Sequence, residues 1–172
     1  MVFQNQSCMK TSVATLGKVA LFGIFIGFIA CSGDERPTGN EEISASVSGV
    51  GAFTSSKDFD TVFGTKVVTT ATILQIQGTD NSGRGFVLRI STYDGPGTYE
   101  MGVDSTGNLA IWINGPTAGD QYSTGFEGTS GSIVVAEEAE GVVDGSFAFT
   151  GKLSDTSAAK TITNGKFKVN LQ

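Results

Sequence analysis

The stretch that decides the fold is Gly85–Ser91, "GFVLRIS". Phe86, Leu88 and Ile90 alternate with Val87, Arg89 and Ser91, a period of two over a short window, which is the mark of a half-buried strand. The same period recurs along the chain. "ISASV" puts Ile43, Ala45 and Val47 on one face, and "ATILQIQ" (71–77) is β-branched and of strand length. "TYEMGV" groups Tyr99, Met101 and Val103, "NLAIWIN" groups Leu109, Ile111 and Ile113, and "QYSTGFE" groups Tyr122, Thr124 and Phe126. "GSFAFTG" pairs Phe147 with Phe149, and "GKFKVNL" sets Phe167, Val169 and Leu171 against Lys166, Lys168 and Asn170. "SIVVAEEAE" (132–140) reads as a strand that ends in a charged loop, with Glu137, Glu138 and Glu140 solvated.

Turn signals separate these runs. "GTDNSGRG" (78–85) reads as a hairpin connection, and "YDGPG", "DSTGN" and "NGPTAGD" as further breaks. No segment shows a sustained helical period. About nine or ten short antiparallel strands in the stretch 43–172 predict an all-β fold, a β-sandwich or a flattened β-barrel. The two phenylalanine segments are expected side by side in its core, joined by the polar surface loop "KLSDTSAAKT".

Composition narrows the chemistry. The chain has 172 residues, no histidine and two cysteines, Cys8 and Cys31. Without histidine there is no Ser-His-Asp or Cys-His catalysis and no His-ligated zinc. With both cysteines upstream of the strands, the β-domain has no internal disulfide and no thiolate metal site. All 17 acidic residues follow Cys31, so the chain beyond it carries nine basic residues against seventeen acidic ones, a balance of −8. Such a domain repels nucleic-acid backbones, so no nucleic-acid partner is expected.

The N-terminal part reads as an export signal. Val19–Ala30, "VALFGIFIGFIA", is twelve residues without a charge, preceded by Lys18. It is short of the roughly 20 residues needed to span a bilayer, and fits a secretory apolar segment. Phe28-Ile29-Ala30-Cys31 resembles a bacterial lipobox, with Phe28 in place of the more usual Leu. That resemblance implies that residues 1–30 are a lipoprotein signal peptide, removed on export, and that Cys31 carries the lipid. Acyl chains contribute about 0.8 kcal/mol per buried methylene, and two or more hold a protein on a membrane. Residues 31–42, "CSGDERPTGNEE", then form a flexible acidic tether, either a solvated linker or a linker that also serves as a surface-export signal.

The segments "VVDGSFAFTG" and "TITNGKFKVN", with "GTYEM" and "GSIVVAE", carry a second resemblance. They are similar to a group of uncharacterised Bacteroidota lipoproteins that end in a Gly-x-Phe-x-Phe strand, a loop and an Ile-Thr-(Asp/Asn)-Gly-x-Phe strand. Phe53 stands where many of those proteins carry Trp. The resemblance implies an all-β domain in the outer membrane's periplasmic or cell-surface space, with glycines in turns and phenylalanines in the core. It implies no catalytic residue and no cofactor.

The remaining candidates are few. Asp58 with Asp60, Asp80 with Asn81, and Asp104 with Asn108 offer oxygens to calcium, but none follows a calcium-loop series, and ordinary turn acids are the competing reading. Paired carboxylates could also serve a small hydrolase acting outside the cytoplasm. If Leu109, Ile111 and Ile113 face the core, Trp112 faces outward, and with Tyr99, near Tyr93, it makes a ligand platform for a glycan or an envelope protein; burial under a loop or in a two-sided strand is the alternative. The overall expectation is a lipid-anchored envelope protein with a non-catalytic binding or structural domain.

"MKTSVATLGKVALFGIFIGFIAC" is a complete signal from Met9, and "MVFQNQSC" before it adds no positive charge. N-terminal sequencing of the unprocessed precursor is therefore expected to begin at Met9; a precursor beginning at Met1 overturns that reading.

Overall fold

The computed structural model describes residues 41–105, 107–117 and 119–172; the signal segment, Cys31 and most of the tether lie outside the described residues. The described residues form eleven strands and no helix. These are β1 (Glu42–Val47), β2 (Gly51–Ser56), β3 (Thr61–Val68), β4 (Thr72–Thr79), β5 (Arg84–Ile90), β6 (Gly97–Gly102), β7 (Leu109–Asn114), β8 (Gln121–Ser123), β9 (Ser130–Ala139), β10 (Val142–Gly151) and β11 (Lys160–Asn170). Two antiparallel sheets result, a six-stranded one in the order β2-β1-β11-β10-β9-β6 and a five-stranded one in the order β3-β4-β5-β7-β8. They enclose one core between them in a sandwich-like fold. All eleven strands and the whole core fall within one compact unit, Arg36–Gln172.

Two of the strands are not marked by the alternation read above. β2 and β3 carry Phe53, Val62 and Gly64 inward among Thr, Ser and Lys, so their apolar signal is thin. Phe53 and Val62 are nonetheless buried. The domain also starts slightly earlier than the acidic tether implied. Glu42 opens β1, and Glu41 is only 2% exposed. The Glu41 carboxylate accepts the Asn170 N–H (2.9 Å) and pairs with Lys57, which fastens the start of β1 to the end of β11 and to the β2–β3 turn.

The core is aromatic at its centre. Phe86 from β5 meets Phe53 (ring centroids 5.3 Å apart), Trp112 (4.7 Å), Phe147 (5.0 Å) and Phe149 (6.2 Å). Phe53, Phe147 and Phe149 belong to the six-stranded sheet, Phe86 and Trp112 to the five-stranded one. The cluster therefore joins the layers, mostly edge to face, an arrangement worth about 0.5–1.5 kcal/mol per pair beyond burial.

Glycines make room for these rings. Gly145 lies opposite Phe167, Gly165 opposite Phe147, and Gly131 opposite Phe149 in the strand register. A Cβ on Gly145 would stand 2.6 Å from the Phe167 ring and 2.0 Å from the Val134 carbonyl oxygen; one on Gly165 would stand 2.6 Å from the Phe147 ring. Each inward ring thus lies over a bare backbone on the neighbouring strand. This corrects the expectation that the Asp-Gly and Asn-Gly glycines make turns. Both pairs sit inside strands, at register shifts between Asp144 and Gly145 in β10 and around Asn164 in β11. Asn164 takes a positive φ of 54°, a conformation asparagine tolerates, and so absorbs the extra residue of its bulge.

Both edges of the five-stranded sheet are tied to the six-stranded one. On one side Gly64 of β3 bridges Leu171, and its carbonyl accepts the Gln172 N–H (2.9 Å). On the other, Ser123 of β8 and Lys152 exchange two backbone hydrogen bonds of 2.8 and 3.0 Å. These contacts occupy backbone groups that an open edge would leave for another chain.

Gly165→Ala is expected to lower stability by about 1–3 kcal/mol, the usual cost of forcing extra volume into a packed core. Gly115→Ala should cost little, since no atom lies within 4 Å of the added carbon. Urea unfolding of both variants checks this. A neutral Gly165→Ala would show that the ring-over-glycine contact is not what fixes the register.

Candidate functional site

The expected platform does not form around Trp112. That residue is fully buried at 0% exposure, pairs across the sheet with Phe86, and donates from Nε1 to Asn114 Oδ1 at 3.3 Å. The alternation of β7 is inverted relative to the expectation: Ala110 and Trp112 face the core, and Leu109, Ile111 and Ile113 are half-buried on the outer side. Both phases of "LAIWIN" are apolar, so period two could not say which side points inward. The register against Phe86 decides it.

Tyr99 finds a different partner. It sits on β6, half-buried against the core, and its ring tilts against Tyr93 at 5.7 Å. Its hydroxyl reaches Gly95 O (2.6 Å) and Asp94 Oδ1 (2.8 Å). Tyr93 is itself buried and donates to Glu138 Oε2 at 2.7 Å. Glu138 Oε1 receives Lys66 Nζ at 2.5 Å, and the same ammonium lies 5.2 Å from the centre of the Tyr93 ring. Lys66 comes from β3 and Glu138 from β9, so the ion pair spans the two sheets.

This cluster of Lys66, Tyr93, Glu138, Tyr99 and Asp94 is the most developed polar constellation among the described residues. Its members are committed to one another. The hydrogen bond from Lys66, then that from Tyr93, holds the Glu138 carboxyl below its ordinary pKa against the opposing effect of burial. Burial, then the bond to Glu138, pushes the Tyr93 hydroxyl well above its ordinary value. Burial and the contact with Asp94 raise Tyr99 as well. An ionised carboxylate already accepting two donors is a poor general acid, and a tyrosine held protonated is a poor base. The arrangement acts as a clamp between layers. It also corrects the reading of Glu138 as part of a solvated loop: β9 continues through Ala139, and Glu138 is tethered while Glu137 and Glu140 are exposed.

The calcium candidates are turn and capping residues. Asp80 Oδ1 accepts the backbone N–H groups of Ser82 and Arg84, and Oδ2 accepts two bonds from the Arg84 guanidinium. Burial raises its pKa, but those bonds outweigh it and leave the carboxyl lowered. Asn81 bonds the Phe59 carbonyl, and Asp60 accepts the Ser56 N–H. Asn108, buried, bridges Ser91 N and Glu100 O. Asp104 lines an open depression with Glu127 and Asp155. Among the described residues no three His, Cys, Asp or Glu side chains converge as a metal site. Cys31 lies outside the described residues.

Fold and site together define an all-β, sandwich-like domain with a clamped, non-convergent set of carboxylates. The chain belongs to the family of the domain of unknown function DUF6252, whose model matches residues 50–169. No curated protein and no solved structure matches it.

Because the folded pKa of Glu138 lies below the unfolded value of about 4.3, its contribution is present above that pH and lost as pH falls through the folded value. Glu138→Gln should therefore cost about 1–2 kcal/mol at neutral pH, the range for a partly exposed charged hydrogen bond, and flatten the loss of stability at acid pH. Denaturant titrations at pH 7 and pH 3 test this: an unchanged difference between the two pH values would remove the clamp.

Proposed function

We propose that the protein is an exported, lipid-anchored envelope protein whose β-domain binds or supports another component without catalysing a reaction. The observation that carries this reading is Phe28-Ile29-Ala30-Cys31 at the end of the uncharged run Val19–Ala30, followed at once by polar, acidic sequence. Processing at Cys31 leaves ten residues before Glu41, a tether of up to about 35 Å when extended. That is long enough to hold the domain clear of a bilayer to which acyl chains on Cys31 attach it. The resemblance to Bacteroidota lipoproteins supports an outer-membrane position, facing the periplasm or the cell surface. The balance of −8 beyond Cys31 disfavours nucleic acid.

The binding or structural role is favoured over a carboxylate-dependent hydrolase by how the acids are used. Glu41, Asp80 and Glu138 each hold strands or turns together through a basic partner. A glycan or another envelope protein is the kind of partner such a domain would serve.

Metabolic labelling with a radioactive fatty acid, combined with membrane fractionation, tests the anchor. Wild type should be labelled and membrane-bound, and Cys31→Ser unlabelled and released or left as precursor. A wild-type protein that is soluble and unlabelled overturns the proposal.

A further inference from the structure

Three of the four edge strands of the two sheets are met by another part of the chain. The Gly64 carbonyl of β3 accepts the Gln172 N–H, Ser123 of β8 exchanges backbone bonds with Lys152, and the Glu100 carbonyl of β6 accepts a bond from Asn108 Nδ2 at 3.0 Å. β2 is the fourth edge, and its ladder shows which of its backbone groups are left over. The Lys57 N–H donates to the Glu41 carbonyl at 2.9 Å. Those two residues continue the β1–β2 register, in which Ser55 lies opposite Ile43 and Phe53 opposite Ala45. Hydrogen-bonded pairs alternate along an antiparallel ladder. The N–H and C=O groups of Phe53 and Ser55 therefore point to β1, and those of Ala52, Thr54 and Ser56 point away from it.

Ser56 is satisfied by the turn that follows. Its N–H donates to Asp60 Oδ2, and its carbonyl accepts the Phe59 and Asp60 N–H groups. The backbone groups of Ala52 and Thr54 have no partner among the described residues, and both residues are exposed. Nothing in the segment blunts this edge. Gly51 to Ser55 includes no charge and no proline, and the pairing with β1 runs without a bulge. Charges, prolines and bulges are the devices that ordinarily keep another strand away.

The chemistry of this gap selects its occupant. Paired donors and acceptors repeated at every second residue along a line are matched by the backbone of another extended chain, not by a compact ligand. Charge narrows that chain further. β2 leads into Lys57-Asp58-Phe59-Asp60, where Lys57 is already paired with Glu41 and Asp58 is exposed. Glu42, also exposed, lies opposite Ser56 on the neighbouring strand. Phe59 stands in the same turn and is 78% exposed. A strand laid along β2 passes carboxylates and an aromatic ring at this end, which suits basic and apolar side chains.

We propose that the outer edge of β2 is a peptide-docking site, where an extended, basic segment of a partner protein adds to the six-stranded sheet as a further strand. Its backbone bonds Ala52 and Thr54, and its basic side chains meet Asp58. This inference rests on the binding role proposed above and not on lipid at Cys31.

Amide hydrogen exchange read by NMR on residues 32–172, which keep every described residue, tests the site without the anchor. The probe is a capped octapeptide of alternating valine and lysine, added to about 2 mM, a range that captures weak binding. In the free protein the Ala52 and Thr54 amides should exchange roughly a hundredfold faster than those of Phe53 and Ser55. The peptide should slow both by about fivefold or more. The same peptide with N-methyl groups along its pairing edge keeps the charge and should have no effect. Thr54→Pro removes an N–H that β1 does not use, a change edge strands tolerate. It should leave Phe53 and Ser55 protected and abolish the response at Ala52. Asp58→Lys, in an exposed turn, should weaken binding roughly three- to tenfold. Ala52 and Thr54 amides already protected in the free protein, protection that grows with protein concentration as a second copy would cause, or no response to the peptide would each overturn the proposal. So would an N-methylated peptide that acts equally, or an unaltered response in Thr54→Pro or Asp58→Lys.

Discussion

The packing of phenylalanine rings over glycine backbone is the constraint on which the remaining structure depends. Gly145 faces Phe167 and Phe147 faces Gly165, so β10 and β11 are locked by a reciprocal pair. A two-residue slip would place Phe147 opposite Phe167, ring against ring, and a one-residue slip would turn the core side chains of the shifted strand outward. Because β10 and β11 lie at the centre of the six-stranded sheet, their register sets where Phe147 and Phe149 stand. Those two rings, with Phe53, fix the position of Phe86 and Trp112 and thereby the seating of the second sheet.

The polar groups follow from that seating. Once the sheets are stacked, the β3 edge passes beside the end of β9, which brings Lys66 to Glu138 and closes Tyr93 beneath them. Glu41 acts in the same way at the start of β1. In both places a carboxylate accepts donors from elements far apart in sequence, and the loss of either acid would loosen a junction between strands. Glu41, Asp80 and Glu138 are thus each tied to a basic partner by the architecture.

The acid-free outer face of the five-stranded sheet is the exception to this economy. The core accounts for Trp112 and Ala110, and the turns account for Asp80 and Asn108, whereas Val87, Leu109, Ile111 and Ile113 stand half-buried on the outer side of β5 and β7.

The sequence by itself determined the all-β class, most of the strands and the pairing of the two phenylalanine segments, because period two and turn chemistry are local properties of the chain. It also contains the cysteine junction, which is a linear motif and needs no fold to be read. It did not mark β2 and β3, whose inward residues are too few to stand out, nor the true use of Gly145 and Gly165, whose partners lie on another strand. The side on which Trp112 falls was equally hidden: both faces of β7 are apolar, and only its register against Phe86 places the indole in the core. Tertiary structure alone decided which residues meet across the two sheets, Lys66 with Glu138 and Phe86 with Phe147, because those contacts arise from the stacking of layers and leave no trace in the spacing along the chain.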